Sequence, residues 1–360
     1  MTLRNVAVLV VGAVLLIGPG TASGSKSAAL RPAATFRTGK IALLAADGTR
    51  AAVAPAKRRP CGAVVVWNTS TSRSSGFRLH TNGCSGDGVR ELALGDGQVA
   101  WIEHGGGNSL ELTVFAARLS GGRARQLDFQ ANGDRAGADP AGGWVGFLRG
   151  GGSVLAYNRW RAVCDRPEVF TCGEKDPQLR ITDERLIRIT LGRARAVASD
   201  PAAYAVAAAG GGRIAVQRPD GIATYTAAGR PLGFVPDPEH TVTGVGLSSS
   251  TLALARDSTL DLYDPQTGSA RKSIGLGSAT SPGLLGLTKT LALVKLPRTL
   301  LLVRLADGAR ATVALPLLAQ QSLVGVRLTD AGMFYAYNLR SGSAPGRVAF
   351  VPPRALAKAF

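Results

Sequence analysis

The chain has 360 residues, with 42 Lys and Arg against 24 Asp and Glu, a formal net charge of +18 and only 3 His. So few histidines leave little material for a metal centre or a Ser-His-Asp set, and no metal ligand is assigned. The basic residues are scattered and none forms a run of five, so nucleic acid is not indicated as a partner. A charge of this sign still draws anionic polymers and membrane surfaces at low salt.

Residues 1–23 read as a signal peptide. Arg4 supplies the positive start, Val6 to Ile17 is apolar, Gly18-Pro19-Gly20 breaks the run, and Thr21, Ala22 and Ser23 offer small residues for cleavage. The apolar run is too short to span a bilayer, so no stable transmembrane segment is expected after cleavage. The expected location is secreted or extracytoplasmic, in a periplasm or cell envelope. Residues 24–35 read as a flexible leader. The four Cys form two sequence-local pairs, Cys61 with Cys84 and Cys164 with Cys172. Neither pair has zinc-ligand spacing, and two local disulfides fit an exported chain.

From there a short strand phrase returns along the chain. It reads Thr49-Arg50-Ala51-Ala52-Val53, Gly97-Gln98-Val99-Ala100-Trp101, Gly152-Ser153-Val154-Leu155-Ala156 and Gly212-Arg213-Ile214-Ala215-Val216. It continues as Ser250-Thr251-Leu252-Ala253-Leu254, Lys289-Thr290-Leu291-Ala292-Leu293 and Gly332-Met333-Phe334-Tyr335-Ala336. Its anchors, from Ala51 to Phe334, are separated by 48, 55, 60, 38, 39 and 43 positions. Ile41 and Val145 are alternative anchors in the first and third repeats. A period of about 40 residues is the signature of a propeller blade, a four-stranded sheet that cannot bury its faces alone. The fold class expected is therefore all-β: a single seven-bladed β-propeller over residues 36–353, each blade a four-stranded antiparallel sheet, with a C-terminal tail at 354–360. Asp47-Gly48, Asp96-Gly97, Asp220-Gly221 and Asp307-Gly308 mark tight turns. The last repeat shows only three strands, and a strand at Ala34 to Arg37 would complete it.

The phrases Ala46-Asp47-Gly48-Thr49-Arg50-Ala51-Ala52-Val53 and Arg218-Pro219-Asp220-Gly221 resemble the Asp-Gly strand phrase of TolB-like and WD-type propeller repeats. The Trp-Asp and Gly-His pairs of true WD repeats are absent. The resemblance implies the fold and a protein- or polymer-binding habit, and carries over no functional residue.

No motif identifies a reaction or a cofactor. His104-Gly105-Gly106-Gly107 resembles an oxyanion-hole phrase, but the chain has no GxSxG elbow, and the glycines fall where a hairpin turn is expected. Asn132, Asp134 and Asp139 do not complete a calcium loop. Glu91, Glu103 and Glu111 supply carboxylates for an alternative reading, a propeller glycosidase or lyase with axial acids. All four Trp and all four Cys precede position 173. Trp and Arg anchor interfaces, so Tyr157, Asn158, Arg159, Trp160 and Arg161, with Trp101 and His104, form the expected binding patch. The rival reading of the Trp residues is that they fill space between blades. The expected function is a monomeric, non-catalytic scaffold that binds a protein or anionic polymer. A non-specific electrostatic envelope binder is a further alternative.

Overall fold

The computed structural model describes residues 26–56, 62–80, 88–106, 109–134, 141–165, 179–199, 205–277, 281–340 and 345–360. Two N-terminal strands, β1 (Lys26–Ala29) and β2 (Ala34–Thr38), precede a series of antiparallel four-strand meanders. The first comprises β3 (Ile41–Asp47), β4 (Arg50–Pro55), β5 (Ala63–Asn68) and β6 (Arg73–Arg78). Then come β7 (Gly88–Gly95), β8 (Gln98–Gly105), β9 (Ser109–Arg118) and β10 (Arg125–Asp134). These continue into β11 (Gly142–Gly151), β12 (Val154–Cys164), β13 (Leu179–Thr190) and β14 (Arg193–Ser199). The next meanders are β15 (Ala205–Gly210), β16 (Arg213–Arg218), β17 (Gly221–Thr226) and β18 (Pro231–Pro236), then β19 (Val242–Leu247), β20 (Leu252–Arg256), β21 (Thr259–Tyr263) and β22 (Ala270–Gly275). After these come β23 (Gly283–Leu287), β24 (Leu291–Lys295), β25 (Leu300–Arg304) and β26 (Arg310–Ala314). The chain ends with β27 (Gln321–Thr329), β28 (Gly332–Leu339), β29 (Gly346–Val351) and a short helix, α1 (Pro353–Ala357).

These strands form six sheets. One is eight-stranded: β7–β10 and β11–β14 are joined at a single pair, Asn132 opposite Gly142. The first strand of each meander is innermost. β3 touches β7, β7 touches β11, and the contacts pass through β15, β19 and β23 to β27, which returns to β3. A closed circle of inner strands makes the fold a β-propeller. The recurring phrase is the second strand of each meander with the turn before it: β4, β8, β12, β16, β20, β24 and β28. Ala51 and Val154 are therefore the equivalent anchors, and Ile41 and Val145 belong to inner strands.

Each gap between neighbouring sheets is filled by apolar side chains from both. Ile41, Val53 and Trp67 meet Phe334 and Val348 across one gap, with Trp67 edge-on to Phe334 at 6.3 Å. Ala253, Leu260 and Ile274 meet Val294 and Val303 across another. Toward the axis the strands crowd until backbone meets backbone. A Cβ added at Gly150 would lie 2.2 Å from the Leu94 carbonyl oxygen, and one at Gly210 would lie 2.3 Å from that of Leu247. No side chain fits at those positions, which is why Gly and Ala recur on the inner strands.

The ring closes through its N-terminal segment. β2 pairs antiparallel with β29, Ala34 opposite Phe350 through Thr38 opposite Gly346, and supplies the fourth strand of the last sheet. Asn338 on β28 locks the seam: its Nδ2 donates to the Ile41 carbonyl at 2.8 Å and its Oδ1 accepts from the Ile41 amide at 2.8 Å.

Two segments differ from the sequence reading. Residues 26–29, expected within a flexible leader at 24–35, are β1, paired in parallel with the outer strand β26. An open sheet edge offers unpaired backbone groups, and a leader of any polar composition can satisfy them. Leu30 then buries itself in the core beside β25 and β26. The tail expected at 354–360 is docked as well: Leu356 and Ala359 are buried against Tyr335 and Val351, and Arg304 lies over the Phe360 ring at 4.8 Å.

Two outcomes follow. Gly210→Ala, at a backbone conformation that suits any residue, costs about 1–3 kcal/mol through overpacking alone, measured by urea denaturation; an unchanged midpoint refutes the crowding argument. Deletion of residues 32–38 strips β29 of one of its two partners, leaving only β28, and lowers the melting temperature sharply, as read by circular dichroism.

Candidate functional site

The patch expected on β12 divides along the strand, because alternate residues face opposite sides of a sheet. Tyr157 is fully buried, and its hydroxyl donates to Asp128 Oδ2 at 2.9 Å. Arg159 faces the same way, with its guanidinium 3.9 Å from that carboxylate. Asn158 is fully buried on the other face, where its Oδ1 accepts from the Val206 amide of the next sheet at 2.7 Å. Trp101 is also fully buried; its Nε1 donates to Glu103 Oε1 at 2.8 Å and its ring stacks on Phe115 at 5.7 Å. Tyr157, Asn158 and Trp101 are thus corrected from contact residues to core residues: they sit on central strands covered by neighbouring sheets. Trp67 and Trp101 follow the space-filling reading. His104 is partly buried on β8, opposite Leu112 on β9, away from the other members.

What remains of the patch is larger than the sequence suggested. Trp160 lies directly opposite Trp144 in the β11–β12 register, and the two rings stack at 6.0 Å and 5°. Phe147 adds a third ring, 5.7 Å from Trp160 and 40% exposed. It stands at a break in register between Gly146 and Arg149, with φ of +57°. A left-handed backbone is costly for a residue with a side chain. The Glu91 carboxylate holds it there, accepting from the amides of Phe147, at 3.0 Å, and of Leu148. Arg161, at the open end of β12, is exposed.

The carboxylates considered for acid–base work are tied into this framework. Glu103 accepts from Trp101 Nε1 and from the His80 amide at 3.0 Å, and Glu91 supports the Phe147 bulge. Among the described residues no cluster of His, Cys, Asp or Glu is arranged to hold a metal ion. The hairpin turn expected at His104–Gly107 is the connection from β8 to β9, though residues 107–108 lie outside the described segments. Cys164, at the end of β12, is disulfide-bonded. Cys61, Cys84 and Cys172 lie outside the described residues, as do residues 1–23, expected to be a signal peptide, and Asp139.

A second feature escaped the sequence reading. The inner strands enclose an axial cavity of about 900 Å³. Each inner strand ends at a two-residue turn, closed by Asp47, Gly95, Gly151, Gly210, Ser248, Thr288 or Thr329. Two positions before these lie Ala45, Ala93, Arg149, Ala208, Gly246, Gly286 and Arg327, and all of them line the cavity. This equivalent tier is therefore small everywhere except at two arginines. Arg149 lies 3.7 Å from Glu91. Arg327 donates to the Val326 carbonyl at 2.9 Å, and no carboxylate among the described residues pairs with it. Burial, and then the like charge of Arg149, holds the Arg327 guanidinium below its ordinary pKa. Asp47, Asp330 and Lys289 stand at the turns around the mouth. Burial pushes the Asp47 carboxyl up, against the opposing hydrogen bond from the Gly152 amide. A Gly/Ala tier interrupted by Arg is visible in the sequence only once the turns have been aligned.

No protein-family model matches this chain, and no curated protein matches it. Solved propellers do. The Pan2 WD40 domain of Neurospora crassa is 12% identical over 87% of this chain and 90% of its own, with a TM-score of 0.47. The Cps50 (Swd1) β-propeller domain of Myceliophthora thermophila is 9% identical over 89% and 99%, with a TM-score of 0.49. A catalytically inactive virginiamycin B lyase from Staphylococcus aureus, with quinupristin, is 12% identical over 88% and 99%, with a TM-score of 0.49.

The Tyr157–Asp128 bond makes a pH prediction. Burial first, and then the Asp128 charge, raises the Tyr157 pKa well above the usual phenol range. The unfolded chain releases this proton near pH ~10 and the native chain keeps it. The bond's contribution is complete below that pH and is lost as pH rises beyond it. Tyr157→Phe lowers neutral-pH stability by about 1 kcal/mol and flattens the alkaline decline, measured by denaturation across pH.

Proposed function

We propose that this protein is an exported, monomeric, non-catalytic seven-bladed propeller that binds a protein or an anionic polymer in a cell envelope or outside the cell. The blade count rests on dividing the eight-stranded sheet at its single Asn132–Gly142 bridge, which leaves four strands to every meander. Export rests on the charged start and apolar run of residues 1–23, and on cysteine usage, with Cys61–Cys84 and Cys164–Cys172 as the pairs.

One observation carries the binding reading: the half-exposed stack of Trp144, Phe147 and Trp160 on one face of β12, with exposed Arg161 next to Trp160 in the strand and on the other face. Aromatic rings and arginine supply most of the energy in protein interfaces. Phe147 is held exposed in a costly backbone conformation, an arrangement that folding alone does not favour. The two adjoining blades, β7–β10 and β11–β14, also expose Phe129, Ile181 and Leu191. A hollow of about 200 Å³ edged by Arg118, Arg123, Arg125 and Leu191, residues of both blades, adds positive charge.

The test is capture of envelope components by the purified protein at low and high salt, beside a Trp160→Ala/Arg161→Ala variant. A defined partner retained at high salt and lost in the variant is the expected result. Binding that disappears with salt and ignores the variant reduces the interaction to net charge and overturns the reading.

A further inference from the structure

We propose that the axial channel is a binding site for a small ligand bearing an oxyanion, carboxylate or phosphate, clamped between Arg149 and Arg327. The inference does not rest on the surface reading, since the aromatic stack and the channel involve different side chains.

The argument begins with the tier on which both arginines lie. Its other five members are Ala or Gly, as crowding at the axis demands. An arginine at such a position has no room between the strands, and its side chain is directed into the cavity it lines. The two come from β11 and β27, which are separated around the ring by β3 and β7 on one side and by β15, β19 and β23 on the other. They therefore approach the axis from nearly opposite sides and line the same cavity, and the Arg149 charge bears on the Arg327 guanidinium.

Two like charges facing one cavity are unfavourable unless something lies between them. A buried cation ordinarily has an anionic partner. Arg149 shares Glu91, whose oxygens are already engaged by the Phe147 and Leu148 amides. Among the described residues, Arg327 has only the Val326 carbonyl. The carboxylates at the mouth stand at turns: Asp47 accepts from the Gly152 amide, Asp330 lies on the turn after β27, and among the described residues neither forms an ion pair with Arg327. The missing counter-charge fits an incoming oxyanion, which the planar guanidinium fork binds through paired hydrogen bonds. Leu92, Val245 and Leu285, set in the wall among polar groups such as Thr243 and Ser248, suit a ligand with a short hydrocarbon body. A cavity of about 900 Å³ accommodates a small molecule and excludes a folded polymer domain.

The experiment is calorimetric titration of the full chain with inorganic phosphate and, separately, with citrate, at fixed ionic strength. Wild type is compared with Arg327→Met, Arg149→Met and, as a control on an exposed strand position, Arg347→Met. One saturable site per chain is expected for at least one anion, and the preferred anion distinguishes phosphate from carboxylate chemistry. Loss of either clamp arginine weakens binding about tenfold or more, and Arg347→Met leaves it unchanged. Without ligand, Arg327→Met also melts higher than wild type, because the repulsion is gone. Absence of saturable binding for both anions overturns the proposal, as does equal affinity in wild type and the clamp variants. Should Arg327→Met fail to fold, Arg149→Met, whose side chain is 45% exposed, decides the matter.

Discussion

Crowding at the axis governs the rest of this molecule. Radial sheets converge inward, and their inner strands meet with less than a side chain's width between backbones, as at Gly150 beside Leu94 and Gly286 beside Leu328. Small residues are forced there, and bulk is displaced outward, where Trp67, Trp101 and Phe334 fill the wedge between diverging sheets. The same constraint gives the axial arginines their meaning. On a surface strand Arg327 would be unremarkable; on a tier otherwise made of Gly and Ala it is a charge placed where geometry disfavours one.

The second dependency is closure. A ring of sheets has no hydrophobic edge only if its ends meet. Here β2 completes the last sheet, and Asn338 reaches across to Ile41, so that hydrogen bonds at the seam substitute for continuity of chain. β1 and α1 add to this by covering β26 and the base of the last sheet. The result is a ring of contacts in which each sheet is flanked by its neighbours.

The repeat was legible because it combines a tight turn with a strand, and both have short-range causes. Asp47-Gly48 and the phrase around Ala51 sit in consecutive positions, and β19 to β25 fall almost where their apolar runs lie. What could not be read depended on partners far away in sequence. β1 becomes a strand only because β26 has an open edge. Phe147 is exposed because Glu91, 56 positions earlier, captures its amide. Tyr157 and Asn158 looked like interface residues beside Trp160, but they are buried with partners on strands distant in sequence, Asp128 on β10 and Val206 on β15. The axial tier needed every turn aligned before two arginines stood out.

The pairing of β2 with β29 also imposes an order in time. Ala34 and Phe350 are direct neighbours in the register, yet nearly the whole chain lies between them. Contacts of such long separation form late, because the entropy of closing so large a loop must be overcome first. A chain emerging from its N-terminus can assemble its inner meanders one after another, but the ring stays open until its last strand has been delivered. Until then β2 is an exposed strand waiting for a partner. A protein built this way depends on its surroundings to keep that edge unoccupied, and a truncation before residue 346, where the pairing with β2 begins, leaves it permanently available to other chains.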